Sequence, residues 1–269
     1  MGKRLEGKVV LVTGCGSAGP GWGNGKAMAV LCAREGAKVY GCDINLSAAQ
    51  ETQAIVQQEG GTMSVDASDV SHAEAVEKLV KNCVETYGDI DVLVNNVGIA
   101  RLGGVVEQSL EDWRLVFDAN VTSMFLTCKH VIPSMIKKGK GSIVNIGSVA
   151  GIRDSGVAYV SYSASKAAVL GLSRSVSLQY AKQGIRSNVL MPGLMDTPMV
   201  QQPSISLAKG YQTASLEELS VKRNQQCPMG HMGDAWDVAG AALWLASDES
   251  KYVTAAEIVV DGGLSARVA

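Results

Sequence analysis

Lys8-Val9-Val10-Leu11-Val12-Thr13-Gly14-Cys15-Gly16-Ser17-Ala18-Gly19-Pro20-Gly21-Trp22-Gly23-Asn24-Gly25 is a short β-branched apolar run that ends in six glycines spread over twelve residues. The run predicts a strand. Glycines after it allow positive φ and let a pyrophosphate approach the backbone, while a following helix offers its N–H groups and positive dipole end. Two registers compete. Gly14-x-Gly16-x-x-Gly19 fits the plain dinucleotide fingerprint, yet Pro20, Gly21 and Gly23 then fall where a helix should already run. The preferred register uses Gly14, Gly23 and Gly25, with residues 18 to 22 inserted in the loop and Ser17 and Asn24 beside the phosphates.

Asp43 stands at the end of the next strand-like run, 18 residues beyond Gly25. A carboxylate there can accept hydrogen bonds from both adenosine ribose hydroxyls and repels a 2′-phosphate, so NAD is expected rather than NADP. Its other reading is the N-cap of a helix starting near Leu46, for which Asn45 and Ser47 serve equally well.

Farther along, strand-like runs (Lys8 to Thr13, Ala37 to Cys42, Thr62 to Ala67, Asp91 to Asn95, Ser142 to Ile146, Arg186 to Leu190, Glu257 to Val260) alternate with helix-period stretches. Helices are expected over Gly25 to Arg34, Ser71 to Tyr87 and Tyr162 to Lys182, each closing near a glycine. This is the rhythm of βαβ units, hence an α/β fold with a parallel sheet covered on both faces. No repeat or charged linker divides the chain, and residues 1 to 269 read as one domain. The excursion from Pro198 to Pro228, with a short helix at Leu216 to Asn224, reads as a substrate-binding lid inside that domain, or else as a surface insertion.

With 24 basic and 26 acidic residues the net charge is −2, without a block of like charge. Nothing in that balance suits a nucleic-acid groove or an anionic membrane surface. The six cysteines form no Cys-x-x-Cys pair and the three histidines are scattered, so no metal site is expected. Reduced, core-packed thiols and a cytoplasmic location are expected instead. The amino-terminal residues lack a signal-peptide pattern, and the longest apolar runs are too short to span a bilayer.

Tyr162 and Lys166 lie four apart and share a helix face, which puts an ammonium beside a phenol. Ser148 lies fourteen residues upstream of Tyr162, at the end of an apolar run. Together with Thr13-Gly14, Asn95-Asn96-Val97-Gly98, Asn120 and Pro192-Gly193-Leu194-Met195-Asp196-Thr197, these residues make the chain resemble the short-chain dehydrogenase/reductase family from about Leu5 to Gly263.

The resemblance implies a Rossmann-type, doubly wound, seven-stranded sheet and a homotetramer. It also implies that Asp69 and Val70 contact adenine, that Asn96 and Gly98 line the adenosine side, and that Pro192, Gly193, Met195 and Thr197 hold the nicotinamide end. Tyr162 is then the general acid/base, Lys166 and the nicotinamide cation stabilise its phenolate, Ser148 binds the substrate oxygen, and Asn120 holds a water that relays protons. Asn120 also reads as a helix-kink or capping residue. The departures from the family pattern are the insertion at 18 to 22, Val97 after the paired asparagines, Gly147-Ser148, and a longer gap between Ser148 and Tyr162.

The expected activity is NAD-dependent interconversion of a secondary alcohol and a ketone. A 3-oxoacyl thioester reductase using NADPH is the alternative, and a non-catalytic NAD-binding protein is a third reading. Val97, Val149, Arg153, Leu194, Met199 and Tyr211 are candidates for a mixed apolar pocket suited to a neutral substrate, Arg153 having a surface salt bridge as its other role. The apolar stretch Ala239 to Ala246 suits either a subunit contact or the core.

Overall fold

The apolar run that opens the chain forms β1 (Val9–Thr13), buried along its whole length. Its residues part to two faces: Val10 and Val12 join one core cluster, Val9 and Leu11 the other. That alternation is what a strand covered on both sides requires. The computed structural model describes residues 3–154, 156–201 and 207–267.

The other strands are β2 (Lys38–Asp43), β3 (Thr62–Ala67), β4 (Val92–Asn95), β5 (Gly141–Ile146), β6 (Ile185–Pro192) and β7 (Glu257–Val260). They lie where the sequence places them and pair, all parallel, in the order β3-β2-β1-β4-β5-β6-β7. The chain builds outward from β1 through β2 and β3, then returns to lay β4 on the opposite side. The carboxyl ends of β1 and β4 therefore flank the switch point where such sheets bind ligands. Thr13 pairs with both Cys42 and Asn95, and Asn95 with Asn145, so these strand ends share one edge.

The helices among the described residues are α1 (Asn24–Arg34), α2 (Leu46–Gln58), α3 (Ala73–Tyr87), α4 (Leu110–Phe117), α5 (Ser123–Lys138), α6 (Val160–Tyr180), α7 (Leu207–Gly210), α8 (Leu216–Gln226) and α9 (Ala235–Ala246). Helices α1, α2 and α9 cover one face of the sheet, and α3, α5 and α6 cover the other. Buried strand residues such as Leu11, Leu93 and Ile143 each contribute roughly 1.5–3 kcal/mol by leaving water.

The Ala239 to Ala246 stretch faces the core, since Ala239, Ala242, Leu243, Leu245 and Ala246 are buried and α9 packs on α1. All six cysteines are free and buried. Burial pushes the thiols of Cys32, Cys42, Cys83 and Cys128 up to about 12, which keeps them inert near neutrality.

Between α4 and α5 the chain makes a π-helical turn at Asp118–Thr122. Such a bulge re-aims one side chain within a continuing helix. Here that side chain is Asn120, turned fully inward at 0 % exposure.

Candidate active site

Tyr162 and Lys166 both lie in the first two turns of α6, two residues in from its start at Val160. Lys166 is 3 % exposed, and its Nζ donates to the Ile146 carbonyl at the end of β5 at 2.8 Å while standing 5.7 Å from the Tyr162 ring centroid. Ser148, just past β5, is buried; its hydroxyl accepts from the Ala150 N–H at 3.2 Å and stands close enough to the Tyr162 phenol to favour its ionised form. Gly98 closes the group from the β4 side, because a Cβ there would lie 3.0 Å from Lys166 Nζ.

Asn120 is clamped on three sides. Its Oδ1 accepts from the Ile99 N–H at 2.7 Å, and its Nδ2 donates to the Ile99 carbonyl and the Ser165 hydroxyl, each at 2.9 Å. With both amide N–H groups engaged, the side chain first of all ties the post-β4 loop to α6. The kink and the clamp are one feature, since the π turn is what points Asn120 at Ile99.

The electrostatics differ from the expectation of a phenol lowered by its lysine. Desolvation pushes Tyr162 up to about 12, with partial relief from the Ser148 hydroxyl and the positive charge of Arg223, while Tyr159 pushes it further up. Burial brings Lys166 down to about 8. The two shifts have one cause: a low-dielectric pocket disfavours whichever form is charged.

The glycine loop adopts the inserted register. Gly14 has φ +65°, and a Cβ on Gly25 would overlap the Gly14 carbonyl, so these two glycines permit the loop and α1 to touch. Gly23 is the N-cap of α1, and Asn24 begins the helix with a buried Oδ1 that meets no donor among the described residues. Ser17 hydrogen-bonds within the insertion, to the Gly19 carbonyl at 2.8 Å. The insertion itself packs sideways: Trp22 meets Trp236 of α9 with ring centroids 4.7 Å apart, and Gly19 and Gly21 approach Pro198 at the start of the lid.

Asp43 does not cap α2, a role Asn45 takes by accepting from Ser47 and Ala48. One Asp43 oxygen accepts from the Gly16 N–H and the other from the Asn45 N–H, each at 3.0 Å, which fixes the carboxylate at the mouth of the loop. Asn96 joins the loop to β4, its Nδ2 donating to the Gly14 carbonyl at 2.9 Å.

Two residues expected on the adenine side have engagements of their own. Asp69 accepts from the Ser71 N–H and hydroxyl; desolvation opposes its ionisation, but these bonds and nearby His72 hold it below the usual carboxylate range. The Val70 side chain is in the core, which leaves its main chain for any ligand contact.

On the other side of the crevice, Gly193 passes so close to Asp261 that a Cβ would clash, and Pro192 ends β6. Met195 and Thr197 are buried, and the Met195 carbonyl accepts from Arg223 Nη2 at 3.3 Å. Arg223 escaped the sequence reading because α8, Leu-Glu-Glu-Leu-Ser-Val-Lys-Arg-Asn-Gln-Gln, looks solvated throughout. Its one signal is Leu219, four residues earlier on the same face, which packs with Tyr211 and Val157 under the lid.

Of the pocket candidates, Val149 lies in a core cluster and Tyr211 in the lid cluster, while Leu194 and Met199 are half-buried. Arg153 forms no ion pair among the described residues; its guanidinium donates to the carbonyls of Ser265 and Ile152. Residues 202–206 of the expected lid lie outside the described residues.

A glycine cradle at the switch point beside a half-buried tyrosine and a buried lysine defines a nucleotide-dependent oxidoreductase. Residues 19–265 match the family described as enoyl-(acyl carrier protein) reductase. The chain is 37 % identical over 268 residues to 2,5-dichloro-2,5-cyclohexadiene-1,4-diol dehydrogenase LinX of Sphingobium indicum, covering 100 % of both chains. It is 38 % identical over 264 residues to the 3-oxoacyl-[acyl-carrier-protein] reductase FabG of Thermotoga maritima, covering 97 % of this chain and 99 % of the relative. The crystal structure of levodione reductase superposes with a TM-score of 0.92 at 32 % identity, covering 98 % of this chain and 100 % of that one. The chain belongs to the short-chain dehydrogenase/reductase family, and it is an oxidoreductase acting on CH–OH groups with a nicotinamide cofactor.

Proposed function

We propose that the protein is an NAD-dependent dehydrogenase interconverting a secondary alcohol and a ketone, with Tyr162 as general acid/base. The observation that carries this reading is Lys166, buried and tied to the Ile146 carbonyl, with its ammonium 5.7 Å from the Tyr162 ring and Ser148 close to the phenol. In oxidation Tyr162 accepts the alcohol proton while Ser148 holds the oxygen; in reduction Tyr162 donates that proton to the ketone. Lys166 supplies positive charge behind the phenol, and Asn120 holds the loop and helix in register. A nicotinamide cofactor held in the crevice would supply the hydride chemistry.

The residues fit that cofactor. Gly14 and Gly25 let the loop close onto the first turn of α1, and the N-terminus of that helix, capped by no side chain at Gly23, offers N–H groups and a positive dipole end to a pyrophosphate. Gly14, Ser17, Gly23, Asn24 and Gly25 are assigned to the pyrophosphate, and Asp43 to the ribose. Asp69, Val70, Asn96 and Gly98 are assigned to the adenosine side, and Pro192, Gly193, Met195 and Thr197 to the nicotinamide.

Asp43 supports NAD over NADP, because its fixed carboxylate would face a 2′-phosphate. A second reading, a 3-oxoacyl thioester reductase, is favoured by the similarity to FabG. One assay separates them: NADH and NADPH release over varied secondary alcohols, with Asp43→Ser in parallel. The expected preference for NAD is at least about 100-fold, falling by roughly tenfold or more in D43S as charge repulsion is lost. A wild-type preference for NADP would overturn the assignment.

The substrate-binding segment 198–228 is assigned to the same domain as the sheet. A homotetramer is supported by apolar side chains exposed on α4, α5 and α6, among them Leu115, Phe125 and Leu178. Sedimentation at micromolar concentration is expected to give four times the chain mass; a monomer would refute it. No helix among the described residues is long and apolar enough to cross a membrane, and six buried free thiols support a reducing, cytoplasmic setting.

A further inference from the structure

Arg223 is the one feature of the lid that a pocket for neutral alcohols does not explain. Its side chain is 4 % exposed, yet among the described residues it forms no ion pair. Nε donates to the Met232 thioether at 3.2 Å and Nη2 to the Met195 carbonyl at 3.3 Å, both neutral acceptors at the weak end of hydrogen-bond geometry. Asp196, exposed on the neighbouring loop, feels the charge without pairing with it. A guanidinium has five N–H donors, so both on Nη1 and the second on Nη2 meet no acceptor among the described residues. Burying an ion without a counter-charge is strongly unfavourable.

The position of that charge is informative. Helix α8 is held over the site by Leu219, which packs with Tyr211 and Val157, and Tyr159 packs on the same cluster. Tyr159 in turn meets Tyr162 edge to face, ring centroids 5.3 Å apart. The Met195 carbonyl that Arg223 touches belongs to the loop leading to Thr197. Arg223 thus lies on the face of the lid that meets the loop assigned to the nicotinamide, on the side where Tyr159 packs against Tyr162.

We propose that Arg223 binds a carboxylate of the substrate, so that the compound oxidised or reduced is a hydroxy acid or keto acid rather than a neutral alcohol. This rests on the oxidoreductase reading above and narrows its substrate class. The planar fork of a guanidinium accepts a carboxylate through two parallel hydrogen bonds, and the free N–H groups of Arg223 supply that fork. A carboxylate seated there neutralises the buried charge and sets the distance from the anion to the carbon facing Tyr162. Hydroxyl position along the substrate is therefore selected by the same contact.

The test compares matched pairs: cyclic and open-chain 3-hydroxy acids, each beside its carboxamide, with NAD, in the full chain and in Arg223→Met and Arg223→Lys. The expected acid-to-amide ratio of kcat/KM is about 100 or more in the wild type, near one in R223M and intermediate in R223K. A wild-type ratio near one overturns the proposal. So does an equal loss on acid and amide in R223M, because that is what a residue merely pinning the Met195 loop would give. Should R223M fail to fold, the wild-type ratio and R223K decide. If none of these alcohols is turned over with NAD, the proposed NAD-dependent secondary-alcohol activity fails, and titration calorimetry with NADH present judges Arg223 separately. Cyclohexanecarboxylate is then expected to bind at least about tenfold more tightly than cyclohexanecarboxamide. Equal affinity would overturn the proposal.

Discussion

Replacing Tyr162 with Phe is expected to lower turnover in both directions by about 10³-fold while NAD affinity changes by less than about threefold, since a positioned proton donor contributes 10² to 10⁴. The phenylalanine ring keeps the edge-to-face contact with Tyr159, and only the hydroxyl that Ser148 meets is lost. Even a full hydrogen bond there is worth about 1 kcal/mol, too little to unfold the protein.

The pH dependence follows from the direction of the Tyr162 shift. Its phenol is pushed up to about 12 by desolvation, so near neutrality it is protonated, the form ketone reduction needs. Reduction is therefore expected to be flat from about pH 6 to 8 as far as this group decides it. Alcohol oxidation needs the phenolate, whose fraction rises tenfold per pH unit below the pKa. Its rate is expected to climb through the same range and to level off once the positive charge of oxidised nicotinamide has lowered the phenol far enough. Steady-state NADH absorbance in both directions checks this, and turnover within tenfold of wild type in Y162F would move the proton to another group.

The seven strands were legible because a parallel sheet covered on both faces needs near-continuous apolar runs, and Lys8 to Thr13 or Ser142 to Ile146 serve no other purpose. The glycine register was legible from Pro20, which with Gly21 and Gly23 directly after it makes a helix already running there unfavourable. The Tyr162 and Lys166 pairing follows from helix geometry alone.

Other parts depend on tertiary contacts that leave no local trace. The helical path from α4 to α5 is obscured where the π turn at Asp118–Thr122 slips the 3.6 period and where Pro133 interrupts α5. Asn95, Asn145 and Ser187 look like polar lapses in three strands. Asn95 Nδ2 in fact donates to Asn145 Oδ1 at 2.9 Å and Asn145 Nδ2 to Ser187 Oγ at 3.1 Å, one ladder across the sheet. Arg223 is buried only because α8 folds down over Tyr211, a contact its polar sequence does not announce. The Tyr162 shift likewise depends on desolvation by the folded cleft rather than on Lys166 four residues away.

Lys166→Met is expected to lower turnover by about 10²-fold or more and, at pH 7, to stabilise the fold by roughly 1–3 kcal/mol. The charged lysine is held 3 % exposed, with the Ile146 carbonyl as its hydrogen-bond acceptor among the described residues, and burial brings its pKa from 10.5 to about 8. A gap of that size corresponds to about 3 kcal/mol against the charged form. Losing the bond to Ile146 takes back about 1 kcal/mol, hence the lower end of the range.

The sign runs as linkage requires: between about pH 8 and 10.5 the unfolded lysine keeps its proton and the folded one does not, so this residue's destabilising contribution fades as pH rises. Below about 8 its cost is present in full. The buried thiols bias stability the opposite way above pH 9, but they are common to both proteins and cancel in the difference. Urea midpoints of wild type and K166M at pH 7 and pH 10.5 therefore isolate the lysine: the advantage of K166M is expected at pH 7 and gone at pH 10.5. A variant less stable than wild type at pH 7 would mean that the ammonium is well solvated. Its place beside Tyr162 would then have been kept for packing rather than for charge.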